Sequence, residues 1–226
     1  MKKLLVILSA LSLLLPIGVM ARQVQLLQKN LFGSANLTAY YRLEGNSNDS
    51  KGSNNGTDSS MVYGSQYGLF GQGAHWSGGT GTPYFTVSSF TPTTINFWVD
   101  TNTYAALMGQ NSGSDYFFYL NYPSAGYVSI YNGSTNVNLN VSLPQGLWAM
   151  VTFVWENPNY EVYVNGVDKG SITMANQIPI ELIGPHSWET SMTGNLDDIS
   201  FFSRALTASE ISHLYTSRSL DSGISR

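Results

Sequence analysis

"GNLDDISFFSRALTASEISHLY", residues 194–215, joins an apolar segment to a polar, periodic one, and the whole chain can be read outward from it. Residues 194–202 set apolar Leu196, Ile199, Phe201 and Phe202 among polar residues and read as a strand. Strict alternation would put Asp197, Ile199 and Phe201 on one face, and Leu196, Asp198, Ser200 and Phe202 on the other. Neither face is plainly the wet one. A carboxylate on an apolar face needs a hydrogen-bond partner or a cation, so the paired acids pose a question that the surrounding fold must answer. Beyond Arg204 the pattern changes. Thr207 and Glu210 have the spacing of a capping box, Leu206 can staple onto Ile211, and Ile211, Leu214 and Tyr215 fall on one face of a short helix.

Upstream, strand signals recur at the spacing of an all-β sandwich, closed by Gly, Asn, Ser and Pro. They are "LTAYYRLE" (37–44), "GQGAHWSG" (71–78), "PYFTVSSF" (83–90) and "TTINFWVD" (93–100), then "YAALMGQ", "DYFFYLNY", "GYVSIYNG" and "NVNLNVSL". "LWAMVTFVWE" (147–156) is apolar on both faces and reads as a central strand. "YEVYVNGVDKGSI" (160–172) reads as a hairpin whose Asn165-Gly166 pair calls for a type I′ turn. About twelve strands and one terminal helix predict an all-β fold, a two-sheet antiparallel jelly-roll β-sandwich with one short C-terminal helix. No internal repeat and no second domain is evident.

The first residues stand apart from this pattern. Lys2 and Lys3 precede an apolar run, Leu4 to Met20, and Val19-Met20-Ala21 fits a small-residue cleavage pattern, so 1–21 reads as a secretory signal peptide; an uncleaved anchor is the alternative. No Cys follows, which excludes a lipoprotein anchor. Residues 22–35 read as a linker or N-terminal arm, 36–217 as the domain and 218–226 as a flexible tail. The formal net charge is −4, and −6 once Lys2 and Lys3 are removed. With no basic run, nucleic acid is not an expected partner. Charged residues make up 11% and aromatics 13% of the chain, so solubility rests on Asn, Ser, Thr and Gly. There is no cysteine, so the core or a bound metal must supply what disulfides would.

Four stretches, in order, resemble one family. "LTAYYRLEGNSNDSKGSNNGT" is similar to its first strand and loop. "TPTTINFWVDTNTYAALMGQ" resembles its Thr-Ile-x-x-Trp-Val strand. "GLWAMVTFVWENPNYEVYVNGVDKGSI" resembles its Trp-led central strand and Tyr-Val-Asn-Gly hairpin, and residues 194–215 resemble its C-terminal signature. Over residues 36–216 the chain resembles the laminin G-like jelly-roll branch of the concanavalin A-like lectin/glucanase superfamily. The resemblance implies two antiparallel sheets but no single function, because binders, adhesins and glucanases share the fold.

The glucanases of this fold carry Glu-x-Asp-x-x-Glu on one strand, and retaining chemistry needs two carboxyls about 5 Å apart. No strand here carries that pattern. Glu156 and Glu161 flank a Pro-containing turn, no Gly-x-Ser-x-Gly occurs, and His75, His186 and His213 are scattered. The reading is therefore of a non-enzyme. It is an exported binding domain for a glycan or an extracellular protein, secreted or at the cell surface, with no membrane contact in its mature form. A structural or adhesion component of a fibre, envelope or virion is the alternative, and a polysaccharide hydrolase with an atypical site a weaker one.

Calcium is the expected cofactor, since hard cations take carboxylate and carbonyl oxygens. The resemblance implies an Asp ligand at the position of Asp197 and places loop 45–50 beside the last strand, so Asp49, Asn46 and the carbonyls about Gly45 are the candidate partners. The competing reading is that Asp197 and Asp198 bond backbone amides or Arg204. For sugar binding, exposed aromatics beside amides and carboxylates are needed. Trp98, Trp148 and Trp155 fall in strands and read as core. Trp76, and Trp188 with His186 and Glu189, are the candidates, the competing role for Trp188 being to cover the sandwich's rim.

Overall fold

The computed structural model describes residues 31, 34–79, 81, 83–111, 116–185 and 193–221. The expected signal peptide and most of the N-terminal arm lie outside the described residues. Two antiparallel sheets face each other. The first contains β1 (Leu37–Tyr41), β3 (Val62–Gly64), β4 (Gly73–Ser77), β6 (Thr94–Thr101), β11 (Ala149–Glu156), β12 (Asn159–Val164), β13 (Val167–Thr173) and β15 (Thr193–Phe202). Its order is β13-β12-β11-β6-β15-β4-β3, with β1 also on β15. The second contains β2 (Thr57–Ser59), β5 (Tyr84–Phe90), β7 (Ala105–Gly109), β8 (Tyr116–Leu120), β9 (Tyr127–Asn132), β10 (Asn136–Asn140) and β14 (Ile180–Ile183), in the order β10-β9-β8-β7-β14-β5-β2. This is the predicted jelly-roll β-sandwich. β2, β3 and β14 were not legible in the sequence, being only three or four residues long and too short to show a period.

The inner faces meet in one core. Ile95, Phe97, Val151, Phe153, Ile199 and Phe201 come from the first sheet; Phe85, Leu107, Phe118, Leu120, Val128 and Ile130 come from the second. Phe118 meets Phe153 across the sandwich, ring centres 4.7 Å apart. The central strand β11 lies between β12 and β6, buried from Ala149 to Val154, as its two apolar faces require. Asn165 and Gly166 both have positive φ, 53° and 76°, as a type I′ turn demands.

The outer face of the first sheet is covered as well. Helix α1 (Ala208–Asp221) lays Ile211 and Leu214 on Trp98, Met150, Val154 and Phe202, and Leu206 joins them. The capping box forms in both directions: Thr207 Oγ1 accepts the Glu210 amide at 3.3 Å, and the Glu210 carboxylate accepts the Thr207 amide at 2.9 Å. Arg204 pairs with Glu210 at 2.5 Å and so is not the counter-ion of the paired acids.

β15 is where the sequence reading needs correction. Its start, 193–196, pairs with β4 and its end, 199–202, pairs with β1. The register against β6 slips between Asp197 and Ser200, and Asp198 has φ 49°. This is a β-bulge, and one extra residue inverts the alternation beyond it. Leu196, Ile199 and Phe201 all enter the core, while Asp197 lies on the outer side, not on the face of Ile199 and Phe201.

Candidate functional site

The paired acids sit at the fork of β15, where its edge neighbour changes from β4 to β1. There a strand leaves backbone donors elsewhere, and the side chains take over. Asp197 Oδ2 accepts the amides of Leu69 and Phe70, each at 2.8 Å, and Asp198 Oδ1 accepts the hydroxyl of Tyr40. Both acids are buried. Asp197 Oδ1 has no donor among the described residues. Burial, and then the adjacent Asp198, push the Asp197 carboxyl well above the usual carboxylate range, against the pull of the backbone amides.

The expected calcium partners do not gather around Asp197. Asp49 bridges to Tyr41, and its carboxylate accepts the amides of Tyr40 (3.0 Å), Lys51 (2.9 Å) and Asn54 (3.2 Å). It caps its own turn on the edge of β1 away from β15, so the strand stands between Asp49 and Asp197. Asn46 is spent locally: its Oδ1 accepts the Asn48 amide at 2.9 Å. Gly45 turns the chain at φ 83°. The acid that does reach the same turn is Glu44, whose carboxylate accepts the Gln72 amide at 3.0 Å, two residues beyond Phe70. Beside it, Arg42, Leu43, Glu44, Asn46, Asn48 and Ser50 line an open polar recess of about 250 Å³. Among the described residues no group of three or more His, Cys, Asp or Glu side chains could hold a metal ion.

Trp76 is not available to a sugar. It is 1% exposed, because β4 alternation turns Trp76 and Ala74 into the core while His75 faces out. His186, Trp188 and Glu189 lie outside the described residues. Trp98 in β6 is buried and Trp155 in β11 is partly buried against the core; Trp148 is partly buried too, but lies just before β11 and not in a strand.

A different aromatic surface emerges on the outer face of the second sheet. Tyr104, Tyr119 and Tyr122 are in mutual ring contact, at 5.7, 5.6 and 6.0 Å. Tyr131 belongs to the same cluster, and Tyr104, Tyr122 and Tyr131 are each half-buried. Register places polar groups beside them. Asn138, Ser129 and Tyr119 form one cross-strand row, and Asn136, Tyr131 and Phe117 the next. The signal was present in "YFFYLNY" and "YVSIY", where alternate positions are aromatic or hydroxyl-bearing. Sequence reasoning passed over it because Tyr in a strand serves equally as core.

The histidines and the acids of the first sheet's edge are placed as follows. His75 Nδ1 meets Asn195 Oδ1 at 2.8 Å, and the Asn195 amide donates to Asp100 at 3.4 Å, but no Ser or Thr hydroxyl bonds the imidazole. His213 bonds within its own helix, to the Ser209 carbonyl at 2.6 Å. Glu161 is pushed up by burial and by Asp168 and Glu156, but these acids lie toward the outer edge of the first sheet, and Glu156 and Asp168 are exposed.

This sandwich, with its C-terminal strand and capping helix, places the chain in a family. The Laminin_G_3 family model, described as the concanavalin A-like lectin/glucanases superfamily, matches residues 71–212, and the chain belongs to that superfamily. No curated protein matches the chain. Among solved structures it is similar to domain 4 of AbnA, a GH43 extracellular arabinanase from Geobacillus stearothermophilus solved in complex with arabinotriose. The two are 19% identical, with a TM-score of 0.65, over 80% of this chain and 98% of that one. It is also similar to a structure of botulinum neurotoxin type C, whose cell entry depends on interaction with two ganglioside molecules: 16% identity, TM-score 0.59, 84% of this chain and 53% of that one. A third is the binding domain of botulinum neurotoxin DC in complex with rat synaptotagmin II, at 16% identity and TM-score 0.57, over 81% and 52%. The chain spans about half the length of the toxin domains. At these identities the likeness is one of fold.

Proposed function

We propose that this chain is an exported, non-catalytic domain that binds a glycan on the outer face of its second sheet. The observation that carries the reading is the cluster of Tyr104, Tyr119, Tyr122 and Tyr131 beside Ser129, Asn136 and Asn138. Flat rings stack on the apolar faces of sugars, while amides and hydroxyls exchange hydrogen bonds with sugar hydroxyls. The arabinotriose and ganglioside bound by two structural neighbours are in keeping with this chemistry, and the synaptotagmin complex of a third keeps a protein ligand as the alternative. Export is supported by Lys2, Lys3 and the apolar run. No helix among the described residues is long and apolar enough to cross a membrane. A glycan array probed with the purified protein tests the reading: specific binding is expected, with no glycan degraded on long incubation. A protein that binds no glycan, or that cleaves one, overturns it.

Calcium dependence is a separable part of the proposal. A cation would satisfy the donor-less Asp197 Oδ1 and relieve its repulsion with Asp198. Asp197 and Glu44 are the carboxylates at the 69–72 turn. Calcium takes about six to eight oxygens, so backbone carbonyls and water would have to complete the shell. No step of glycan binding is routed through the ion.

A further inference from the structure

We infer that the second sheet takes an uncharged glycan chain, a neutral polysaccharide and not an acidic one. The inference rests on the reading of that sheet as a glycan-binding face, and it follows from where charge is missing. From Thr101 to Trp155 the sequence holds one charged residue, Asp115. The strands of the second sheet carry two, Asp58 and Glu181, and neither a Lys nor an Arg. Both acids are already engaged. Asp58 accepts the hydroxyls of Ser47 and Tyr63, at 2.5 and 2.9 Å, and Glu181 accepts the Asn111 amide at 3.0 Å. A sulfate, uronate or sialate carboxylate laid on this face would shed water without meeting a counter-charge from the sheet's own strands, Lys169 of β13 beside β10 being a cation of the other sheet. Even rim cations that would steer an anion are absent from these strands.

What the face offers is neutral and points both ways in hydrogen bonding. Asn136, Asn138 and Asn140 alternate along the edge strand β10, about 7 Å apart by strand rise. The Asn140 oxygen accepts the Ser142 amide at 3.1 Å, and the Asn138 side chain lies 2.6 Å from the Ser129 hydroxyl, whose one proton also has the Tyr122 carbonyl within reach. That leaves the amide N–H groups of Asn140 as donors. Asn136 has the opposite need: its Oδ1 is buried opposite Tyr131 with no donor among the described residues. Sugar hydroxyls both donate and accept, so one polyol can serve the exposed Asn138 and Asn140 amides while its ring lies on Tyr131 or Tyr122. Repetition of the amide along β10 suits a ligand that itself repeats.

Affinity electrophoresis of the purified protein tests this, in gels holding a neutral polysaccharide (β-glucan, arabinan or mannan) or an acidic one (alginate, hyaluronan or heparin). Retardation by at least one neutral polymer is expected, changing less than about twofold between about 50 and 500 mM NaCl, because no ion pair is involved to be screened. Tyr131→Ala and Tyr122→Ala should each weaken it about tenfold or more, as removal of an aromatic anchor does. Asn138 is exposed, so Asn138→Ala leaves the core intact and should weaken binding about threefold, the scale of one lost hydrogen bond. Retardation by acidic polymers alone, collapsing with salt, overturns the neutral class and leaves the glycan reading standing. Retardation by neither class overturns the glycan reading itself. Neutral binding untouched by all three substitutions overturns its placement on the second sheet.

Discussion

Asp197 holds Phe70 in place: its carboxylate accepts the Phe70 amide at 2.8 Å, and the Phe70 ring meets Trp98 edge-on at 5.5 Å. The same oxygen takes the Leu69 amide, so one side chain fixes the turn that closes the fork between β1 and β4. Asp197→Ala would strand two amides and is expected to lower stability by about 2–4 kcal/mol, since each unsatisfied buried donor costs about 1–3 kcal/mol. Asp197→Asn keeps an acceptor oxygen for both amides and should cost under about 1 kcal/mol in a calcium-free buffer. Urea midpoints at equal m-value measure both. Equal losses for the two variants would show that the turn does not depend on this oxygen.

The hairpin makes a second, independent case. Gly166 has φ 76°, and a Cβ there would stand 3.2 Å from Ser212 Cα and from Tyr215 Cβ on α1. Gly166→Val therefore strains the turn and presses on the helix together. A loss of about 1 kcal/mol or more is expected. An unchanged denaturation midpoint would mean that the turn and helix shift freely to admit the side chain.

Acid sensitivity should appear at the helix start. The Arg204 guanidinium, above all, lowers Glu210 to about 2, and the Thr207 amide assists. The folded value lies below the unfolded one, so the stabilisation is complete above the ordinary carboxylate range and is lost as pH falls toward 2. The pair is partly exposed and screened, so the loss is on the order of 1 kcal/mol. Glu210→Gln should flatten the stability profile over that interval. A profile equally steep in the variant would place the acid sensitivity elsewhere.

How much of this was legible in the sequence differs by element. β6, β11 and the 159–173 hairpin were legible because a continuous apolar run, the alternation of β12 and the Asn165-Gly166 pair are local signals. The capping box was legible for the same reason. The inverted phase of β15 was not, because a bulge is a mismatch between two strands and Asp198 alone does not announce it. The separation of Asp49 from Asp197 was hidden likewise: adjacency of β1 and β15 was foreseen, but not which edge of β1 the 45–50 loop takes. Trp76 was misplaced because "GQGAHWSG" has too few apolar residues to show which face is inward. The tyrosines of the second sheet were visible as residues but not as a surface, since strand register brings Tyr119 and Tyr131 to one face and only the fold brings Tyr122 onto Tyr104 and Tyr119.

Two buried carboxyls lie side by side, Arg204 is committed to Glu210, and Asp197 keeps an oxygen with no donor among the described residues. A divalent cation at that oxygen would take the place of the proton that burial and Asp198 favour on Asp197, turning the pair into a ligand set. Binding to the folded state alone stabilises by RT ln(1 + [L]/Kd), about 2.7 kcal/mol at a hundredfold excess over Kd. Calcium is therefore expected to raise the melting temperature and a chelator to lower it. Asp197→Asn should abolish that difference, because the amide keeps the Leu69 and Phe70 bonds but offers no charge. Glu44→Gln should reduce it, since Glu44 reaches the same turn, whereas Asp49→Asn should lower stability equally with and without calcium, its oxygens being engaged by amides. A wild-type melting temperature indifferent to calcium and chelator would leave Asp197 as the acceptor that closes the fork, and the ion would drop out of the account.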